Sequence, residues 1–150
     1  MDVNLEPMAT VVFSRTFGHM GETKVEDGSR SLAVLLWATA ALILTQAILA
    51  GLFISAAAPA RTAHLVVGSL LPWLAIAPAV VALIERRRLS PPLVTGAVLL
   101  PVGLWVQEVL GHMPFAVTTA IHVPLGVALF ATSVVLALAS GRRRAAVEPA

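Results

Sequence analysis

Four long apolar stretches, separated by short connections, dominate the chain after residue 31. They cover residues 32–54, 62–84, 92–110 and 115–139. Between Ser31 and Ser140 the charged residues are few: Arg61, Glu85, Arg86, Arg87, Arg88 and Glu108. An apolar stretch of about 18 residues or more with almost no charge is long enough to cross a bilayer as an α-helix. The pattern therefore predicts an all-α membrane protein with four transmembrane helices.

The lengths of the connections predict how these helices pack. Residues 55–61 and 111–114 are short turns, so helices that are consecutive in sequence are antiparallel neighbours, and residues 31–140 form an up-down-up-down bundle. Prolines lie inside several spans, where lipid offers the backbone no other partner, so they predict kinks rather than helix ends. Residues 1–30 are predicted to be a disordered cytoplasmic tail, and residues 141–150 a second cytoplasmic tail.

The basic residues predict the orientation of the bundle. With the N-terminus inside, nine of them are cytoplasmic: Arg15, Lys24, Arg30, Arg86, Arg87, Arg88, Arg142, Arg143 and Arg144. Only Arg61 lies in an outer turn. Because cytoplasmic loops of membrane proteins carry an excess of Lys and Arg, we expect both termini in the cytoplasm.

Composition narrows the possible functions. The chain is 58% hydrophobic and 12% charged, and its mean hydropathy is +0.90. The absence of cysteine excludes disulfides, iron–sulfur clusters, thiolate catalysis and c-type haem attachment. The sequence pI of about 10.5 reflects arginine triplets beside apolar stretches, which membrane topology explains better than nucleic-acid binding.

The spans contain the same two-helix unit twice. One copy has Gln46, Gly51, His64 and Gly68, and the other has Gln107, Gly111, His122 and Gly126. In each copy the Gln and the first Gly lie toward the outer end of one span, and the His and the second Gly lie in the next. Both copies run in the same direction, so an axis along the membrane normal would relate them.

The His-x-x-x-Gly spacing suggests a cofactor site. Residues four apart share a helix face, and a Gly beside His64 or His122 leaves space for a flat ligand against the backbone. Two such faces at similar depth fit haem held by two axial histidines, with Gly68 and Gly126 making room. A zinc or copper site would need more ligands, and only His112 in the outer turn is available.

Structural roles for the same residues remain open. Small residues are common where membrane helices touch, and interhelical hydrogen bonding alone would account for Gln46 and Gln107. For Glu108 the simplest interpretation is a solvated or protonated acid near the outer end of span 3. A proton relay, or a partner for Arg61, His112 or a haem-linked histidine, is the functional alternative.

Over residues 32–139 this unit resembles one four-helix half of the haem A synthase family. The resemblance implies that His64 and His122 are the family's ligand pair and face a haem. A catalytic bundle in that family has Glu three residues before its first His, whereas Arg61 occupies this position here. The resemblance therefore implies haem b binding or electron transfer rather than haem oxidation, unless two copies rebuild an eight-helix protein.

The sequence and the resemblance thus favour a haem-binding protein of a bacterial inner (plasma) membrane that acts in electron transfer or haem handling, and Arg61 in place of the family's Glu disfavours an enzymatic role. Its expected partners are membrane lipids and either a membrane redox partner or a second copy of the chain, and not nucleic acid. The alternative is an accessory or structural membrane protein without a cofactor, which packs against other membrane subunits. A small transporter is a third interpretation, with a single acid in the outer part of the bundle as its only support.

Overall fold

The computed structural model describes residues 29–55 and 57–141, and these fold into five helices that make four crossings. The helices are α1 (Arg30–Ile54), α2 (Ala58–Leu74), α3 (Ile76–Ile84), α4 (Pro91–His112) and α5 (Ala116–Gly141). Span 1 is α1, span 2 combines α2 and α3, span 3 is α4 and span 4 is α5. Each span contains a helical stretch long and apolar enough to cross a membrane. The predicted all-α four-helix membrane bundle is confirmed, while the predicted tails lie almost wholly outside the described residues.

The helices begin where the local sequence favours a first turn. The side chain of Ser29 caps α1, because its Oγ accepts a hydrogen bond of 3.1 Å from the backbone N–H of Leu32. Helix α2 begins at Ala58, four residues before the predicted start of the span. Pro59 explains the early start, because its fixed φ and missing N–H both suit the first turn of a helix. Arg61 consequently lies in the first turn of α2 and not in the connection.

Helix ends also differ slightly from the predicted turns. Helix α4 continues to His112, so Gly111 is a helical residue and the connection to α5 is shorter than predicted. Span 2 is interrupted at Ala75, which separates α2 from α3. Pro78 accounts for the interruption, since it has no N–H to donate to the carbonyl of Leu74. The proline therefore kinks this span without ending it, as predicted.

The spans are arranged in a ring. Span 1 packs against spans 2 and 4, and span 3 packs against the same two spans. Within the described residues, the backbones of spans 1 and 3 do not approach each other, and neither do those of spans 2 and 4. Spans 2 and 4, which carry the two repeated histidines, are therefore diagonal across the bundle.

The buried positions follow the two-helix repeat along its whole length. Gln46 and Gln107 are 61 positions apart, and His64 and His122 are 58 positions apart. The buried residues of span 1 are Leu32, Ala33, Leu36, Thr39, Ala40 and Ile43. The residues 61 positions later in the sequence are the buried residues of span 3 together with half-buried Val94. The buried residues of span 2 are Ala60, Leu71, Pro72, Ala75, Pro78, Ala79 and Ala82. The residues 58 positions later are the buried residues of span 4 together with half-buried Phe130. Sequence repeat and packing therefore describe the same duplicated unit.

The core fills only one end of the bundle. We call this end the arginine end, and it carries the connection 85–90. The opposite end carries the connections 55–57 and 113–115, and we call it the histidine end. Toward the arginine end α4 and α5 pack closely, because a Cβ at Gly103 would lie only 2.6 Å from Cδ2 of Leu129. Beyond Ile43 in span 1 and Leu104 in span 3 these spans contain no further buried residues. At the histidine end the four spans surround a cavity instead.

Candidate functional site

The cavity at the histidine end has a volume of about 500 Å³ and is lined by residues of all four spans. This volume lies within the range of roughly 300–1,000 Å³ that is typical of small-molecule sites. Every residue that the sequence singled out lines it: Gln46, His64, Gly68, Gln107, Glu108, His122 and Gly126. The structure therefore brings both copies of the repeated motif to a single chamber.

Both repeated histidines are held by the same backbone contact. Nδ1 of His64 lies 3.1 Å from the carbonyl oxygen of Gln46, and Nδ1 of His122 lies 3.1 Å from the carbonyl oxygen of Gln107. A carbonyl oxygen can only accept, so we assign the ring proton to Nδ1 in both residues. The lone pair of each neutral imidazole is then on Nε2, which is the form that ligates a metal.

The glutamine side chains complete each contact between helices. Nε2 of Gln107 donates to the carbonyl oxygen of His122 at 2.8 Å. In the orientation that gives both polar atoms of the Gln46 amide a partner, its nitrogen donates to the His64 carbonyl oxygen at 3.0 Å. Its oxygen accepts from the Gly68 N–H at 3.0 Å. Its nitrogen then also lies 2.9 Å from Nδ1 of His64. We retain the Nδ1 proton there, because the same carbonyl contact at the same distance recurs in the second copy.

The repeated glycines admit these glutamines. A Cβ at Gly126 would lie 3.0 Å from Nε2 of Gln107. A Cβ at Gly68 would lie 3.3 Å from Oε2 of Glu108 and 3.5 Å from the amide of Gln46. The interhelical glutamine bonds that the sequence left open are therefore present. Space for a flat ligand beside Gly68 and Gly126 stays a prediction, because the side chains of Gln46, Glu108 and Gln107 already lie against these two glycines.

Gly111 has a role that the sequence did not reveal. The sequence placed it in the turn after span 3, yet a Cβ at this position would lie 3.0 Å from Cε1 of the His122 ring. The missing side chain therefore lets the imidazole of His122 pack against α4. The spacing could have indicated this, because Gly111 lies four residues after Gln107 and so shares its helix face.

Glu108, predicted to be either a solvated or protonated acid or a functional partner, lines the cavity. Its side chain is 18% exposed, and its Oε1 accepts a hydrogen bond of 2.6 Å from Oγ of Ser69 on α2. Nδ1 of His112 lies 3.6 Å from the same carboxylate oxygen and 2.9 Å from the Glu108 carbonyl. Ser69 was not a sequence candidate, because nothing in its local pattern shows that it faces Glu108 on another span.

The donor set suits a cofactor that brings most of its own metal ligands. Among residues 29–55 and 57–141, no group of three or more His, Asp or Glu side chains could hold a metal ion. A zinc or copper site of three or four protein ligands thus has no basis there. A porphyrin needs only two axial ligands from the protein, which the two histidines can supply. Oε1 of Gln107 is also buried without a hydrogen-bond partner among these residues.

No protein-family model, curated protein or solved structure matches the chain. The geometry of the cavity and the duplicated contacts around it therefore carry the functional conclusion.

Proposed function

We propose that this integral membrane protein binds haem b in the cavity at the histidine end, with His64 and His122 as axial ligands. The observation that carries the proposal is the matched pair of imidazoles. They come from diagonal spans, line one cavity, and have Nδ1 directed to a backbone carbonyl. Ligands from diagonal spans suit a planar group between them, because each can approach a different face.

The chain's own residues would bind and orient the group. Bound there, haem would supply one-electron transfer. The carbonyls of Gln46 and Gln107 fix the two imidazole rings, and such outer partners orient metal-ligating histidines in general. Gly111 allows one ring to pack closely against α4. The resemblance to the haem A synthase family supports the same ligand pair, and Arg61 in place of that family's Glu favours electron transfer or haem handling over haem oxidation.

We further propose a bacterial inner membrane location with both termini in the cytoplasm. The support is the distribution of basic residues along the sequence: nine fall in the segments predicted to be cytoplasmic, and Arg61 alone falls at the histidine end. The cavity then lies in the outer half of the bilayer. A membrane redox partner, or a second copy of the chain, would exchange electrons with the site.

An absorption spectrum of the purified protein tests the haem proposal. After haem supplementation in detergent, we expect a reduced-minus-oxidised α-band at the b-type position. The band should be lost in His64→Ala and in His122→Ala, because each variant removes one axial ligand. His112→Ala is the matched control, since this histidine also lines the cavity but is not a proposed ligand. A wild-type protein that remains colourless would refute haem binding.

A second candidate function is an accessory protein without a cofactor. The interhelical Gln–His bonds favour it, because they use both repeated motifs fully for packing. In that case His64→Ala and His122→Ala would lower the resistance of the bundle to unfolding, while the protein would show no haem band before or after the substitution. Measuring stability and spectrum on the same samples separates the two functions.

A further inference from the structure

The two-helix repeat is broken along one side of the cavity. The offsets of 61 and 58 positions pair each residue with its counterpart in the other copy. Where α2 meets α4, Glu108 and His112 line the cavity and the exposed Ser69 lies beside them. Their counterparts where α1 meets α5 are not polar: Glu108 pairs with Ala47, His112 with Gly51, and Ser69 with Val127. We call Glu108, Ser69 and His112 the polar seam. The cavity therefore has a polar wall and an apolar wall.

The polar seam joins the cavity to the end of the bundle. Ser69 donates to Oε1 of Glu108 at 2.6 Å, and Nδ1 of His112 lies 3.6 Å from the same oxygen. The side chain of Glu108 is 18% exposed, while that of His112 is 55% exposed in the last turn of α4. Glu108 and His112 thus lead from a sheltered carboxylate to an exposed imidazole, while Ser69 holds the carboxylate from α2. Each of the three groups can donate or accept a proton.

We propose that the polar seam exchanges protons between the cavity and the aqueous phase at the histidine end, with Glu108 as the proton-binding group. Within residues 29–55 and 57–141 no lysine or arginine forms an ion pair with Glu108, and its one ion-pair partner there is His112, which is charged only when it has itself bound a proton. The other titratable residues that line the cavity are His64 on α2 and His122 on α5, and the residues of α1 that line it include none. An ionisable group inside a membrane span is by default a functional candidate, and proton relays are one such use.

For the haem-loaded protein the inference rests on the proposed function. With haem bound, an electron delivered by the membrane redox partner would add one negative charge beside the polar seam. A proton from the aqueous phase, passing by way of His112, would then bind the Glu108 carboxylate and restore the charge. The apolar wall formed by Ala47 and Val127 offers no equivalent group, so proton binding is confined to one side of the cavity.

The first test uses the full chain without haem, reconstituted in lipid vesicles. We expect an infrared band of a protonated carboxyl group that titrates with the external pH and is lost in Glu108→Gln. In Ser69→Ala the band should shift, because the hydrogen bond to Oε1 is removed. Thr132→Ala is the matched control, since its hydroxyl bonds only within its own helix and is exposed, and it should leave the band unchanged. In His112→Ala, exchange of the carboxyl proton for deuterium should be slower.

The second test measures the midpoint potential of the haem-loaded protein against pH, with dithionite as the reductant. One proton taken up per electron gives a slope of about 59 mV per pH unit, and Glu108→Gln should flatten it. An equal slope in wild type and Glu108→Gln would overturn the inference, as would a carboxyl band that ignores external pH. If the protein binds no haem, the infrared result alone decides, so failure of the proposed function is distinguishable from failure of the polar seam.

Discussion

Gly126→Ala and Gly51→Ala form a matched pair that isolates the glutamine contact beside the cavity. Both glycines are helical and line the cavity. A Cβ at Gly126 would lie 3.0 Å from Nε2 of Gln107, whereas a Cβ at Gly51 would meet nothing within 4 Å. The first substitution must therefore displace the amide that donates to the His122 carbonyl at 2.8 Å, and the second displaces nothing.

The expected difference in the free energy of unfolding comes from the Gln107 hydrogen bond, because the two variants share the stabilisation of the helix. Replacing a helical Gly by Ala stabilises the helix by up to about 1 kcal/mol, and both variants gain this contribution in part. Only Gly126→Ala strains the interhelical hydrogen bond of Gln107, and such bonds in membrane proteins average about 0.6 kcal/mol with a maximum of about 1.7. We therefore expect Gly126→Ala to have the lower free energy of unfolding, by up to about 1.7 kcal/mol if the bond is lost completely.

Reversible unfolding of both variants in mixed detergent micelles, followed by circular dichroism, measures this difference. Gln107→Ala provides the control, because it removes the amide itself. In that background Gly126→Ala should no longer be destabilising relative to Gly51→Ala. Equal stability of the two glycine variants in the wild-type background would refute the conclusion that Gly126 is needed to admit Gln107.

Two further predictions concern the core and the orientation. Leu36→Ala should destabilise the bundle by about 2 kcal/mol or more, since Leu36 is 0% exposed; Leu99→Ala, at a 57% exposed position, should change little in the same unfolding assay because lipid can replace the lost contacts. Because the chain has no cysteine, a single Ser55→Cys can report topology by labelling with a membrane-impermeant maleimide on intact cells. Labelling should be efficient in the otherwise wild-type chain and fall when Arg86–Arg88 are all replaced by Gln, whereas equal labelling would contradict the proposed orientation.

The fold could be predicted from sequence because bilayer thickness restricts what an apolar stretch can do. A helix needs about 20 residues to cross, and the four stretches met that requirement without ambiguity. The ends of the helices were less predictable, because they depend on single residues. Pro59 starts α2 early, and the helical conformation of Gly111 extends α4 to the next residue. In both cases hydropathy changes too gradually to mark the boundary.

The candidate site was predictable as far as it repeats. His64 and His122 could be paired because their contexts match in sequence, and the structure places both on one cavity. The environment of Glu108 could not be predicted, because its partner Ser69 lies 39 residues away on another span. A contact of this kind depends on how two helices are rotated about their own axes. Helical periodicity alone does not determine that rotation when both helices are apolar on most faces.

The connection lengths explain why the two halves of the site are not equivalent. The offset changes from 61 positions in the odd spans to 58 in the even spans, so the first copy has three additional residues. Helix α4 ends at His112, which pairs with Gly51, whereas α1 continues to Ile54. The additional residues therefore extend α1, and they bring the ring of Phe53 to 6.3 Å from the ring of His64. Because the second copy lacks these three positions, His122 packs against the backbone of Gly111, and a duplicated unit acquires two differently surrounded imidazoles.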